Sequence, residues 1–459
     1  MKKRILLPET DRKNVSDEQN SAYAQTLKKM TDCKTVWTKT DENISEFEKF
    51  YTVVAQNFPT LHAKANRLTF GSGCFFYVLE GTNSRKNILL MSHHDVVDGG
   101  EGWETDPFNA VIKDGCLYGR GSIDTKTPLF AQLQAAEELL SEGFDFDGFS
   151  LYIGSSNNEE YSGDGMVLAS EYFRSRDIRF DVILDEGGAI VSGLLPGVKN
   201  KSAMVAIHEK SRHIYRCSIS EDSKGHGGLV PVKGSPVETL SAFVTAVSKS
   251  SIFRPSFAPE VKGTFTVHAP YMAFPLNLLF GAFGIFSPVI RKIMAKIPTA
   301  SAMLSTGVTF TAFNAGDPAS PGTKAKTAEV FMYLRCIREE TLKAELAEVK
   351  KLAAKFGVEI EEVLRDYCEP SSAETPQYKA LEKLLNRNYP DIVVAPYLLT
   401  AGTDARRFTG LSDNIFRFAP IDLSKEQFAT IHNANENITV KNIGQCVLFY
   451  KDYIKEQQL

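Results

Sequence analysis

His93, Asp95, Asp124, Glu159, Glu160, Asp185, Glu186 and His432 are the residues of this chain whose types and settings point to chemistry. Imidazole nitrogens and carboxylate oxygens are what Zn²⁺ takes in catalytic sites, where water keeps one position open. No cysteine joins the set. Two histidines with three or more carboxylates exceed the needs of a single zinc. They suit a pair of metals about 3.5 to 4 Å apart, bridged by one carboxylate and one water. Glu159 and Glu160 are adjacent, and like charges side by side repel in a solvated loop. The pair makes sense if one binds a cation and the other stays free to take a proton from water. His93 and Asp95 are two apart, a spacing that puts both side chains on one face of an extended segment.

The elements that must position these groups are legible in outline. Ile88, Leu89, Leu90 and Met91 form the short apolar run of a buried parallel strand, and Ser92, His93, His94 and Asp95 fall where it ends. Open α/β sheets bind ligands at that carboxyl edge. Downstream, a helix is expected over 129–142 and a strand over 149–154, leading to Glu159 and Glu160. A helix over 165–174 and a strand over 181–184 follow, leading to Asp185 and Glu186. Strand, polar cluster and helix recur in the α/β order. From about residue 209 the pattern changes to strand 213–220, helix 237–249, strands 308–313 and 328–337, helix 340–356 and strand 358–363. That β-α-β-β-α-β order resembles a ferredoxin-like α+β unit. A helix over 377–388 and a strand over 392–396 then resume the first pattern. The expected architecture is an α/β catalytic domain, with a mixed, mostly parallel sheet and helices on both faces, built from 1–208 and 368–459. An α+β lid or dimerisation domain, 209–367, is inserted into it.

The bulk numbers fit this division. A chain of 459 residues exceeds what one core usually serves. Its 43% hydrophobic and 24% charged residues are ordinary for a globular enzyme. A formal net charge of −4, with cations spread along the chain, supports neither nucleic-acid nor anionic-membrane binding. The seven cysteines have no Cys-x-x-Cys spacing and are expected to be reduced thiols. The start of the chain has too few apolar residues before Pro8 for a signal-peptide core, so a cytoplasmic location is expected. The most apolar stretch, 271–290, is interrupted by Pro275, Asn277, Gly281, Gly284 and Pro288. It is expected to form a buried or surface-covering helix pair and not to span a membrane.

Taken in order, the motifs resemble the co-catalytic zinc metallopeptidases that include carboxypeptidase S, aminoacylase, glutamate carboxypeptidase and succinyl-diaminopimelate desuccinylase. The matching segments are Ser92-His-His-Asp-Val-Val97, Gly102-Trp103 with Asp106-Pro-Phe108, and Tyr118-Gly-Arg-Gly-Ser-Ile-Asp-Thr-Lys126. Glu159-Glu160, Asp185-Glu-Gly-Gly188, Gly225-His-Gly-Gly228 and Ile431-His432 complete them. The Asp-Glu-Gly-Gly form is most similar to the carboxypeptidase S branch, which includes hydrolases of N-acyl amino acids. The resemblance implies two zinc ions or other divalent metals per chain. His93 would bind one and His432 the other, with Asp124 bridging. Glu160 and one of Asp185 or Glu186 would complete the two shells, and the choice between those neighbours is open. Asp95 would orient His93, and Glu159 would be the general base and acid. His226 would help hold the oxyanion, in many members across a dimer interface. Gly402, Thr403 and Asp404 match a loop near substrate, and Arg335 could pair with a substrate carboxylate. Two departures stand out. Asp124-Thr125-Lys126 replaces the common Asp-Asp-Lys, and Ala319-Ser-Pro-Gly-Thr323 replaces an Asn-Val-Ile-Pro loop that contacts substrate in some members.

The expected function is hydrolysis of the amide bond at a peptide C-terminus, with deacylation of an N-acyl amino acid as the alternative on the same site. The substrate is a small peptide or N-acyl amino acid, and a homodimer through the lid follows from the resemblance. A metal-free binding relative and a di-metal phosphoesterase are the rivals. The intact ligand set with Glu159 argues against the first, and the Gly-His lid segment against the second.

Overall fold

The computed structural model describes residues 3–458 apart from 41, 194, 196, 221–233 and 321–324. A ten-stranded mixed sheet carries the polar clusters. At its centre the strand Lys86–His93 lies between Phe149–Ser156 and Val182–Asp185, parallel to both. Their shared direction sets His93, the Glu159-Glu160 turn and Asp185-Glu186 along one edge. All of Phe149–Ser156 and Val182–Asp185 is buried, as near-continuous apolar strands covered on both faces must be. The helix Lys126–Ser141 begins directly after Asp124 and packs against the C-terminal helix Val440–Lys455. On the outer side, Asn66–Phe70 and Cys74–Leu79 add antiparallel strands.

Beyond Val182–Asp185 the sheet continues through Ile415–Arg417 to the strand Lys201–Glu209, which pairs in parallel with Ile392–Leu399. No strand was expected over 201–209. Its apolar run, 203–207, ends in the buried His208 and Glu209, polar residues that the fold nevertheless keeps in the strand. A separate three-stranded ribbon, Asn437–Thr439 with Cys116–Tyr118 and Val111–Lys113, ties the chain after His432 to the chain before Asp124.

The smaller sheet has the order Gly307–Ala315, Thr327–Cys336, Ser211–Ser220, Glu359–Asp366, with every neighbouring pair antiparallel. Helices Pro236–Lys249 and Glu339–Phe356 supply Leu240, Phe243, Leu342 and Val349 to a core shared with Tyr215, Val330, Met332 and Leu334. In Thr327–Cys336 buried and part-exposed residues alternate, as they do in a strand with one face covered. This is the expected β-α-β-β-α-β order. Between its first helix and second strand the chain makes a helical excursion. Pro259–His268 packs on Ile392–Leu399 of the large sheet, and Leu276–Gly281 and Phe283–Met294 follow it. Val261, Phe265, Phe280, Phe283, Ile290 and Met294 form a cluster that includes Leu398 of the large sheet. The apolar stretch noted in the sequence therefore leans on the large sheet through one of its faces.

Arginines fasten the two sheets together. Asp366, at the end of the small sheet, accepts from Arg212 Nη2 at 3.0 Å and Arg407 Nη1 at 2.9 Å, with Arg406 Nε 3.1 Å away. Arg212 also donates to Ser162 at 3.0 Å, in the turn that follows Glu159 and Glu160.

Candidate active site

His93 is the last residue of its strand, so its ring emerges where the sheet stops. Its Nε2 lies 3.1 Å from Asp124 Oδ1, while His432 Nε2 lies 3.0 Å from Asp124 Oδ2 and 3.1 Å from Glu160 Oε1. One carboxylate thus stands between two imidazoles, one oxygen toward each. Ligand atoms of His93, Asp124 and Glu160 all fall within 4.8 Å of one another. Glu159, Glu160 and Glu186 border the same cavity of about 360 Å³.

Asp95 is fully buried, with a carboxylate oxygen 3.5 Å from His93 Nδ1, but the shorter contact of that nitrogen is to the Asp95 carbonyl at 2.9 Å. The Asp95 carboxylate instead accepts the backbone N–H groups of Glu159 and Glu160, both at 3.1 Å. It fixes the Glu-Glu turn as well as the imidazole. Asp185 and Glu186 part company. Asp185 accepts the amides of Glu186 at 2.9 Å and Ala405 at 3.0 Å, while Glu186 faces the cavity.

The electrostatics are those of a site short of positive charge. Burial pushes the Glu159 and Glu186 carboxyls well above the ordinary range, and neighbouring carboxylates add to the rise. Burial also raises Glu160, against its hydrogen bond from His432. Hydrogen bonds to Asp124 and Glu160 raise His432 to about 10. Burial disfavours a charged His93, but its bonds to Asp124 and Asp95 outweigh this and hold its pKa well above the usual value. No lysine or arginine is among the described residues lining the cavity. Nitrogen and carboxylate donors crowded without cationic side chains fit divalent metal ions, which would replace protons on the imidazoles.

The remaining sequence candidates are placed unevenly. Gly402 and Thr403 line the cavity. Asp404 does not: it is buried behind the wall, where burial raises it to about 6 against the pull of Arg406. Arg335 stands outside the lining, its Nη2 donating to the Thr400 carbonyl at 2.7 Å across the rim. His226 lies outside the described residues. His94, beside His93, stacks on Phe50 with ring centres 4.8 Å apart and bonds Ser155, a packing role in the core.

The sequence reading missed the supports of the site. Glu436 is fully buried and its carboxylate pairs with Arg120 Nη1 at 2.7 Å. It also accepts the amides of Gly121, Ile123 and Asp124 at 3.2, 2.7 and 3.1 Å. It therefore locks the loop that presents Asp124 to the loop that presents His432. Arg120 sits inside the Tyr118–Lys126 motif, whereas Glu436 follows His432 by four residues and belongs to no quoted motif. Glu209, equally buried, bonds Arg417 Nε at 2.9 Å and the Thr403 amide at 3.1 Å, shaping the opposite wall.

A mixed sheet with its acid-and-histidine cluster at the strand ends, fastened to a second small sheet, defines a metal-dependent hydrolase. Residues 89–456 match peptidase family M20/M25/M40, and the chain belongs to that family. It is 30% identical over 451 residues to probable carboxypeptidase S-like 2 of Dictyostelium discoideum, covering 95% of this chain and 85% of that protein. It is 26% identical to the N-fatty-acyl-amino acid synthase/hydrolase PM20D1 of Mus musculus, over 96% of this chain and 88% of that one. The M20 family metallo-carboxypeptidase Sso-CP2 of Sulfolobus solfataricus shares the fold, with a TM-score of 0.63 at 18% identity, covering 96% of this chain and 99% of that one. The protein is thus a metal-dependent peptidase or amidohydrolase.

Proposed function

We propose that this protein hydrolyses N-acyl amino acids that carry an apolar acyl group. The observation that carries the reading is the composition of the cavity. Its lining is of two kinds, Glu159, Glu160, Glu186 and the two histidines on the one hand, and Ala189, Val191, Met204, Ile421, Leu423 and Phe428 on the other. A wall of that second kind offers an acyl chain release from water and offers a peptide backbone few partners. The relatives named for N-fatty-acyl-amino acids support the same reading. It reverses the order of preference drawn from the sequence, in which removal of a peptide's C-terminal residue came first.

His93, Asp124, Glu160, Glu186 and His432 would hold a pair of zinc ions, which supply the positive charge that polarises an amide carbonyl and acidifies a water. Glu186 is preferred to Asp185 because backbone amides already occupy both oxygens of the latter. Glu159 takes the proton from the attacking water as the new C–O bond forms, and returns it to the leaving nitrogen as the C–N bond breaks. Asp95 keeps Glu159 and Glu160 in register through their amides. By the family resemblance His226 would help hold the oxyanion. The substrate carboxylate is assigned to the rim where Arg335 meets the Thr400–Gly402 loop. The seven unpaired cysteines, six of them buried, support residence in a reducing compartment.

A series of N-acyl glycines of rising chain length, run beside dipeptides, tests this. Each added methylene is expected to raise kcat/KM by about fourfold, from about 0.8 kcal/mol per buried CH₂, until the cavity is full. A flat series, with dipeptides cleaved faster, would establish the carboxypeptidase instead.

A further inference from the structure

The buried faces of Leu276–Gly281 and Phe283–Met294 are accounted for by the core beneath them, but their outer faces are also apolar. Phe274 is 81% exposed, Leu278 59%, Ile285 78% and Ile293 50%, with Val289 and Ile297 similarly uncovered. Ile285, Val289 and Ile293 follow at i, i+4 and i+8, so they form one stripe along the helix. Lys292 falls beside that stripe on the same helical face, Lys296 lies two residues past the helix end, and both are exposed. A helix apolar on both sides, one side already buried, leaves a surface that ordinary solvation does not explain.

The charge around this surface says what covers it. From residue 261 to residue 316 the chain contains no aspartate or glutamate, although it has 56 acidic residues in all. Arg291, Lys292 and Lys296 lie within that stretch. Lys3 joins them, its Nζ 5.4 Å from the ring centre of Tyr271, next to the exposed Ile5. Lysines beside an apolar stripe can extend their heads to the headgroups while the stripe sits below them. A second copy of the chain would meet the same cations in a two-fold contact, like charge facing like.

We propose that this helix pair docks the protein on a membrane surface containing anionic lipid, with Ile285, Val289 and Ile293 entering the headgroup boundary and Lys292 and Lys296 meeting the phosphates. The docking face is the outer side of a layer whose inner side packs on Leu398, between the cavity-lining Tyr397 and Leu399. The proposal departs from what net charge suggested, because a net charge of −4 averages away a locally cationic, acid-free segment. It does not depend on the assigned substrate.

The test is flotation of the full chain with phosphatidylcholine vesicles, with and without phosphatidylserine, at low and high salt. Recovery with the phosphatidylserine vesicles, weakened by salt, is expected. Lys292→Ala with Lys296→Ala should weaken it roughly thirtyfold, at about 1 kcal/mol per basic residue near an anionic surface. Ile285→Glu, Val289→Glu and Ile293→Glu together should abolish it while the melting temperature stays within a few degrees, since all three side chains face solvent. Equal recovery on both vesicles, or none on either, overturns the proposal. So does a concentration-dependent dimer that the triple variant abolishes, because the face then belongs to a second copy.

Discussion

Glu159, half-buried, and Glu436, fully buried, are both carboxylates near Asp124, yet the structure gives them opposite work. Glu159 borders the cavity, its carboxyl raised by burial against the pull of His93, and so suits a group that takes up and gives back a proton. Replacing it by Gln should lower kcat by about 10² to 10⁴-fold while metal content and the melting curve stay unchanged. Unchanged turnover would remove it from the mechanism. Glu436 is saturated by Arg120 and three backbone amides and has nothing left to offer a substrate. Glu436→Ala should cost about 3 kcal/mol of stability, because it strands Arg120 in the interior. It should also lower metal retention, measured on the folded fraction. The contrast marks what a sequence displays at this scale. Glu159 announced itself through an adjacent glutamate that made no sense in solvent. Glu436 pairs with a partner 316 positions away, and nothing local distinguishes it from a surface acid. The proposed preference for Glu186 over Asp185 likewise rests on the Ala405 amide, which only the fold brings near.

At the scale of elements, the strands that end in polar clusters and the helices between them were legible because period and punctuation agreed there. The strand Lys201–Glu209 was not, since His208 and Glu209 are buried by virtue of partners elsewhere in the chain. His208 meets Glu260 at 2.6 Å and Glu209 meets Arg417. The docking helices were legible as apolar, while their leaning on the large sheet was not. Where that strand passes into Ser211–Ser220 stands Lys210, its Nζ donating to the Ala302 and Ser305 carbonyls at 2.8 Å each. Burial, helped by nearby Arg335, lowers its pKa to about 8. Below that pH the lysine is charged in both folded and unfolded states, and the full cost of burying the charge is present. Between about 8 and the unfolded value of about 10.4 only the unfolded chain keeps the proton, so stability rises with pH. Urea unfolding at pH 7 and 9.5 should show the native protein gaining about 1–2 kcal/mol relative to Lys210→Met. An equal pH dependence in both proteins would show that Lys210 titrates normally.

For the whole molecule, the small sheet is set against the large one by Arg212, Arg406 and Arg407 around Asp366, and Arg212 reaches the turn beside Glu160. The order of this unit was readable from alternation, but the clasp joins residues from three separate stretches and could not be. The large sheet and the ribbon meet at the residues assigned to metal, and a pair of zinc ions is the claim on which the proposed chemistry rests. It is tested most directly by metal analysis of protein purified without chelator, with amide hydrolysis followed before stripping, after stripping and after zinc is returned. Two zinc ions per chain, with turnover lost on stripping and restored by zinc, is the predicted result. Turnover that survives complete removal of metal would contradict the account.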